Sequence, residues 1–108
     1  MNTTKSGKKY NFGDIVLALV QFTDANEVKT RPALVLFEEY GNIVLIGATS
    51  NPHMKGISIT KQEGMEHNSI LKLNYIFTVT EAQIKKSLFH LSDQKKKIIK
   101  EELTSKIK

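Results

Sequence analysis

Short apolar segments, separated by polar turns, run through most of the chain and predict a protein built mainly of β-strands. Four of them are rich in branched and aromatic residues: Ile15–Val20, Ala33–Phe37, Ile43–Ala48 and Ser69–Val79. A fifth segment, Ile57–Thr60, alternates between apolar and polar residues like a short strand. We therefore expect five strands before residue 80.

A turn signal between the second and third of these segments predicts a hairpin. Tyr40-Gly41-Asn42 separates the two apolar segments, and glycine at such a position favours a tight turn. In an antiparallel hairpin, the end of the second strand lies near the beginning of the first. Thr49 should therefore approach Arg31, and a shifted register would weaken this inference.

Arg31 precedes Pro32, which we place at the start of its strand. Proline at the first position of a strand gives up no interior ladder bond. The residue before a proline is driven toward extended backbone. Arg31 is thus expected at the junction between this strand and a polar loop over Thr23–Thr30, and such positions often carry functional side chains.

Capping signals after the last strand predict two helices at the C-terminal end. Thr80–Gln83 matches a capping box, which predicts a short helix over Glu81–Leu88. Ser92 is the N-cap candidate of a second helix. The aliphatic residues of that helix form one stripe: Ile98, Ile99, Leu103 and Ile107. Strands first and helices last favour a compact sheet or small barrel over an alternating α/β fold.

The length of the chain indicates a single domain. Its 108 residues, of which 40% are apolar and 25% charged, are typical of one globular unit. We predict a flexible leader over residues 1–11 and one domain over residues 12–108. A domain of this size buries only about two-thirds of the surface of its unfolded chain. Association with a partner subunit would therefore add to its stability.

The residue types that are missing exclude several kinds of chemistry. Because the chain has no cysteine, it uses neither disulfides nor thiol catalysis, which suits a cytoplasmic location. Its apolar runs are far shorter than the roughly 20 residues that cross a bilayer, so no membrane association is expected. The histidines, His53, His67 and His90, lack metal-ligand spacing. We expect neither a metal ion nor another cofactor.

The charge of the chain favours an anionic partner. A formal net charge of +5 is compatible with binding nucleic acid or an acidic protein. Of the 16 basic residues, Arg31 is the only arginine. A guanidinium can grip a phosphate or carboxylate through two hydrogen bonds, which a lysine cannot do. A structural ion pair with Asp24 or Glu27 accounts for a lone arginine equally well.

Several stretches resemble toxins of the MazF/PemK family. Gly13–Val16, Gln21–Asp24 and Lys29–Leu36 are similar to the opening of these proteins. Ile46–Asn51 resembles the family's strand that ends in Thr-Ser, and Asn68–Val79 resembles its later strand. The two capped segments also fall where the family has helices. The resemblance covers nearly the whole chain from residue 13, in order and with similar gaps.

This resemblance implies a fold, an activity and partners. The fold would be mainly β with C-terminal helices, an SH3-like small barrel of the MazF/PemK/CcdB kind, usually a homodimer. The typical activity is metal-independent cleavage of single-stranded RNA. The family's catalytic arginine and threonine correspond to Arg31 and Thr49. Its natural partner is an antitoxin whose acidic, extended segment covers the RNA groove.

The polar residues around this pair are our candidates for binding substrate: Asp24, Asn26, Lys29, Ser50, Asn51 and His53. A fixed guanidinium and a hydroxyl could stabilise the charge that forms on a phosphate when the RNA's own 2′-hydroxyl attacks it. His53 and Asp24 are the candidates for the general base.

One departure from the family pattern supports other functions. Asn26-Glu27-Val28 stands where the nearest family pattern has Ser-Gly-Ser, in a loop expected to border the RNA. A catalytically inactive SH3-like binding module is therefore one alternative. A toxin that acts on a protein target such as a topoisomerase is another, because fold alone does not determine activity.

Overall fold

The computed structural model of the chain describes residues 9–22 and 27–107. Within them, six strands form one antiparallel sheet of order β4-β5-β3-β2-β1-β6. The strands are β1 Asp14–Phe22, β2 Glu27–Glu39, β3 Asn42–Thr49, β4 Ile57–Ile59, β5 Ser69–Thr80 and β6 Ile84–His90. One α-helix, α1 Asp93–Lys106, follows. The curled sheet confirms the mainly β fold class and the five predicted strands.

The predicted helix over Glu81–Leu88 is wrong, because most of that segment is strand β6. The capping box itself is present, and the Thr80 amide donates to Gln83 Oε1 at 2.9 Å. It caps only a single 3-10 turn, Glu81–Gln83. Beyond that turn, β6 pairs antiparallel with β1, and Ile84 is buried. Inter-strand hydrogen bonds and burial therefore outweigh the local helix signal.

Strand β2 begins earlier than predicted, so residues 27–30 are strand and not loop. Arg31 consequently lies inside β2, paired with Ala18 of β1, and not at a junction. The reason is that β1 continues to Phe22 and supplies a partner for the early part of β2. Pro32 is also interior, but the ladder with β3 ends at Ala33. The missing amide hydrogen of Pro32 therefore costs no bond to β3.

Side chains of alternate strand positions form two apolar clusters on opposite faces of the sheet. The helix face carries Ile15, Leu34, Ile46, Ile59, Met65, Leu71, Leu73, Leu91 and Ile99. The far face carries Val16, Ala18, Ala33, Val35, Ile43, Leu45, Val79 and Ile84. Both clusters are buried, so the core of this small domain has two layers divided by the sheet.

Helix α1 packs on the helix face through a narrow part of the predicted stripe. Its N-cap is confirmed, since Ser92 Oγ accepts from the Lys95 amide at 3.2 Å. Ile99 is fully buried and Leu103 packs beside it, as predicted. The stripe is wrong at Ile98 and Ile107, which are 41% and 84% exposed. Ile98 is rotated about 100° from Ile99 around the helix, and Ile107 lies beyond its end.

No helix in the described part of the chain is long and apolar enough to span a membrane.

The chain before β1 crosses the far face. Residues 1–8 of the expected leader lie outside the described residues. The amides of Lys9 and Tyr10 both donate to Glu38 Oε1 at 3.0 Å, and Tyr10 packs against the far-face cluster. The Lys9 ammonium also donates to Glu81, and this hydrogen bond and ion pair raise the pKa of Lys9. These contacts hold the segment over one end of that cluster.

Candidate functional site

A tight turn sets the initial register of the β2–β3 hairpin. Its two central residues, Tyr40 and Gly41, have φ angles of 54° and 80°. Positive φ at both positions is typical of a type I′ turn, whose twist suits a two-residue hairpin. Glu39 pairs with Asn42 across this turn. Extending that register without interruption would place Arg31 opposite Ser50.

A β-bulge at Leu36 changes this register by one residue. Phe37 pairs with Val44 and Val35 with Leu45, so Leu36 is an extra residue in β2. The ladder then continues to its last pair, Ala33 with Gly47. Arg31 and Thr49 each lie two residues beyond this last pair, at positions that would match if the shifted register continued. Between the bulge and Ala33, each residue of β2 therefore pairs with the β3 residue one position earlier than the turn alone would dictate.

This one-residue shift decides which face carries each side chain, because neighbouring strand residues point to opposite faces. Arg31 follows the alternation of Ala33 on β2, and Thr49 follows that of Leu45 on β3, both members of the far-face cluster. Without the bulge, Thr49 would be paired with Pro32. The bulge therefore brings Arg31 and Thr49 to the same face of the sheet.

The surroundings of Arg31 combine small residues and positive charge. Arg31 pairs with Ala18, which has no side chain beyond Cβ to compete for space. Lys29 lies two residues earlier on the same face, about 7 Å along the strand. Both cations are exposed. An anion on the far face would thus meet two positive side chains from one strand.

The Thr49 side chain is held in a turn at the end of β3. Its Oγ1 accepts a hydrogen bond from the Asn51 amide at 3.2 Å. Asn51 Oδ1 in turn accepts from the His53 amide at 3.0 Å. Because Thr49 Oγ1 accepts from Asn51, the hydroxyl proton is left to be donated elsewhere. The turn therefore holds the Thr49 hydroxyl at the end of β3 with its proton available to a further acceptor.

The remaining candidates fall into two groups. Ser50, Asn51 and His53 are exposed in the turn after Thr49. Asp24 and Asn26 lie outside the described residues, as does part of the unusual segment at residues 26–28. The structure thus places Arg31, Lys29 and Thr49 on one face and the residues of the following turn beside Thr49.

Sequence analysis missed a pair of aromatic rings next to this site. Leu71 pairs with Ala48 and Ile76 with Ile46, so four residues of β5 bulge out opposite Gly47. The Tyr75 ring fills the space above that glycine, where a Cβ would lie 2.6 Å from Tyr75 Cδ2. Aromatic residues at alternate positions of a strand share a face, so the sequence could have predicted that Tyr75 and Phe77 lie together. Nothing in the sequence predicted the bulge.

His90 lies in a polar network away from this site and has a structural role. Its Nδ1 lies 2.7 Å from Asp14 Oδ1, and its Nε2 lies 2.9 Å from the Lys96 ammonium. Because an ammonium only donates, Nε2 accepts and the Nδ1 proton is donated to Asp14. The ring thereby joins β1, β6 and α1. Among the residues that the structure describes, no cluster of three potential ligands could hold a metal ion.

Comparisons with known proteins agree with this architecture. Residues 11–107 match the model of a family described as PemK-like, MazF-like toxins of type II toxin-antitoxin systems. The fold is similar to that of the Mycobacterium tuberculosis toxin MazF-mt6, with a TM-score of 0.66 and 14% sequence identity, over 83% of this chain and 93% of that one. No curated protein sequence matches the chain. The family match spans nearly the whole domain, and the chain therefore belongs to the PemK-like, MazF-like toxins of type II toxin-antitoxin systems.

Proposed function

We propose that this toxin is an endoribonuclease that cleaves single-stranded RNA without a metal ion, and that Arg31 and Thr49 form its catalytic pair. The observation that carries the proposal is the Leu36 bulge, which brings a guanidinium and a hydroxyl donor to the same face from two neighbouring strands. Family membership supports the same activity, since ribonucleases are typical of these toxins.

The reaction is a transfer of the phosphate ester within the RNA. The 2′-hydroxyl oxygen attacks the adjacent phosphorus, and the bond from phosphorus to the 5′-oxygen breaks. The 2′-hydroxyl gives up its proton to a base, and the departing 5′-oxygen takes a proton from water. The products are a fragment with a 2′,3′-cyclic phosphate and a fragment with a free 5′-hydroxyl.

Arg31 and Thr49 suit the charge that develops during this step. Negative charge accumulates on the non-bridging phosphate oxygens, and fixed donors aimed at such oxygens lower the barrier. Arg31 acts as an electrostatic stabiliser and not as the base, because arginine stays protonated in proteins. The Thr49 hydroxyl, which accepts from Asn51, can donate its proton to a second oxygen. Lys29 adds positive charge beside the phosphate.

His53 and Asp24 are our candidates for the base. An imidazole can accept a proton near neutral pH, and His53 is attached to the Thr49 turn through its amide bond to Asn51. Asp24 precedes β2 in the segment that leads to Arg31. Replacing each in turn, by His53→Ala and Asp24→Asn, separates them, because only loss of the base should change the pH dependence of cleavage.

The partners follow from family membership and charge. A toxin of a type II system has an antitoxin protein as its partner. We propose that an acidic segment of this antitoxin binds the far face, where Lys29 and Arg31 would attract its carboxylates. We further propose that the toxin works in the cytoplasm as a homodimer. Binding of the acidic segment would then exclude RNA from the same cations.

The test is cleavage of single-stranded RNA by the purified protein in the presence of EDTA, with end mapping of the products. Wild type should give cyclic-phosphate and 5′-hydroxyl ends. Arg31→Ala should be about 100-fold to 1000-fold slower. Lys97→Ala, an exposed lysine of α1, is the matched control and should cleave like wild type.

Three results would contradict the proposal or redirect it. Equal rates for Arg31→Ala and wild type would remove Arg31 from the mechanism. RNA that is bound but stays intact for hours would instead support the inactive binding module. No interaction with RNA, together with growth arrest on expression, would point to a protein target.

A further inference from the structure

Two aromatic rings stand on the far face, one step from the proposed catalytic pair. Tyr75 and Phe77 are stacked with their centroids 5.0 Å apart and their planes at 27°. Phe77 is paired with Leu45, a member of the far-face cluster, and packs against that cluster. Tyr75 lies two residues away on the same strand. Both side chains are only half-buried, so the pair lies at the edge of the buried core.

The position of Tyr75 relative to the catalytic pair is set by Gly47. The ring occupies the side-chain space of Gly47, with Cδ2 and Cε2 at 2.6 and 3.0 Å from the place of a Cβ. Gly47 and Thr49 point to the same face, about 7 Å apart along β3. Ala33, which pairs with Gly47, is likewise two residues from Arg31. The ring therefore neighbours the space between Arg31 and Thr49.

The β5 bulge interrupts the sheet next to this ring. Four residues, Lys72–Tyr75, leave the ladder opposite Gly47, and their regular pairing with β3 is lost. The Lys72 ammonium lies over the Tyr75 ring, 5.8 Å from its centroid, and a base that stacks on that face would displace the ammonium toward the nucleotide's phosphate. Proteins that bind single-stranded nucleic acid combine aromatic rings, on which bases stack, with cations that attract the phosphates, and this part of the far face offers both.

We propose that the Tyr75–Phe77 pair is a stacking platform for a nucleobase that flanks the cleaved phosphate. This inference rests on the proposed ribonuclease function and assigns it a substrate-positioning site. Tyr75 takes the base on its ring, and Lys72 attracts the phosphate of the same nucleotide. Stacking tolerates any base, since every base has a π-face. The platform thus fixes the position of the RNA strand and leaves base selection to other contacts.

The first test uses a single-stranded RNA with a 2′-deoxy sugar at the mapped cleavage nucleotide, which prevents cleavage. Versions of this RNA with one base removed at a time are titrated against wild type. One abasic position next to the cleavage site should raise Kd by about 5-fold to 100-fold. Tyr75→Leu should bind the intact RNA as weakly as wild type binds that abasic RNA and should lose the abasic effect. Tyr75→Phe should bind like wild type.

The second test uses fluorescence to detect a base that stacks at position 75. The chain contains no tryptophan, so Tyr75→Trp introduces a single tryptophan at the platform, whose emission can be excited separately from that of the remaining tyrosines. Its emission should be quenched when the non-cleavable RNA is added and should recover when the flanking base is missing. Tyr40→Trp is the matched control, because Tyr40 is 94% exposed at the hairpin tip. Its emission should not change.

The outcomes separate this inference from the ribonuclease proposal. An abasic effect that persists in Tyr75→Leu, or equal quenching at both tryptophan positions, overturns the platform. If wild type still cuts RNA and Arg31→Ala does not, the ribonuclease function stands in that case. If Tyr75→Trp fails to fold, Tyr75→Leu with the abasic series decides the question, with its melting temperature as the check on folding.

Discussion

The two faces of the sheet carry apolar clusters of similar size, but different elements surround the two clusters. The helix face is covered by α1, and its cluster consists of large aliphatic residues and Met65. The far-face cluster includes two alanines, Ala18 and Ala33, and borders exposed polar residues. Arg31 is next to both alanines, because it pairs with Ala18 and lies two residues from Ala33 on the same strand.

This difference indicates that the helix face mainly stabilises the fold, and that the polar end of the far face carries the side chains proposed for catalysis. The strands supply alternating side chains to both faces, so each strand serves both purposes at once. Two irregularities, the Leu36 bulge and the bulge opposite Gly47, reposition side chains of the far face. Substitutions on the helix face should therefore change the free energy of unfolding, and substitutions at the polar end of the far face should change activity.

The largest effect on stability is expected for Ile99→Ala. Ile99 is fully buried on the helix face, and truncation of such a side chain costs about 2 to 5 kcal/mol. Denaturant unfolding measures this cost. Ile98→Ala is the matched control and should cost less than about 1 kcal/mol, because Ile98 is 41% exposed. A changed RNA cleavage rate in fully folded Ile99→Ala would contradict the claim that the helix face contributes to stability and not to activity.

Gly47→Ala should disturb the far face. The new Cβ would lie 2.6 Å from Tyr75 Cδ2, so the ring must move. We expect a loss of about 1 to 3 kcal/mol, as for other overpacked sites. In a Tyr75→Ala background the obstacle is gone, and the same substitution should cost much less. Equal costs in the two backgrounds would show that the ring does not pack on Gly47.

Ser92→Ala removes the N-cap of the helix that closes the helix face. The Lys95 amide loses its acceptor, which typically costs about 1 kcal/mol. Ser105→Ala is the control within the same helix, because the Ser105 hydroxyl only donates to the Glu102 carbonyl near the helix end. Thermal unfolding should rank Ser92→Ala clearly below Ser105→Ala. The reverse ranking would contradict the capping assignment.

Tyr40→Asn should give the smallest change, a gain of about 0.5 kcal/mol. Tyr40 adopts φ 54° with its side chain 94% exposed, so replacement loses no packing. Asparagine tolerates this left-handed conformation better than tyrosine, whereas Tyr40→Val should destabilise because β-branched residues avoid it. Melting temperatures of both variants test the turn that sets the hairpin register. A stabilising valine would contradict the turn type.

Much of this fold could be predicted from local patterns. Alternation and branched residues identified the strands, and Ser92 identified the start of α1. The failures share a cause, which is pairing with another strand. Ile84–His90 follows a capping box, yet it is strand because β1 offers it a partner. Residues 27–30 look polar, yet they are strand for the same reason.

The site could be predicted only in part. The hairpin pattern predicted that Arg31 and Thr49 approach each other, but a regular hairpin with this turn would have placed them on opposite faces. The Leu36 bulge corrects this, and nothing in the local sequence marks Leu36 as the bulged residue. The Tyr75 platform depends on a second bulge and on the space above Gly47. This second bulge arises from packing between β3 and β5, which are distant in sequence.

The central claim is that Arg31 and Thr49 act together on one phosphate. A double-mutant cycle of RNA cleavage with Arg31→Ala, Thr49→Val and the double variant tests it most directly. Groups that act as a unit give grossly non-additive losses, so the double variant should be little slower than Arg31→Ala alone. Losses that multiply would mean that the two side chains act independently, and the shared-phosphate account would be wrong.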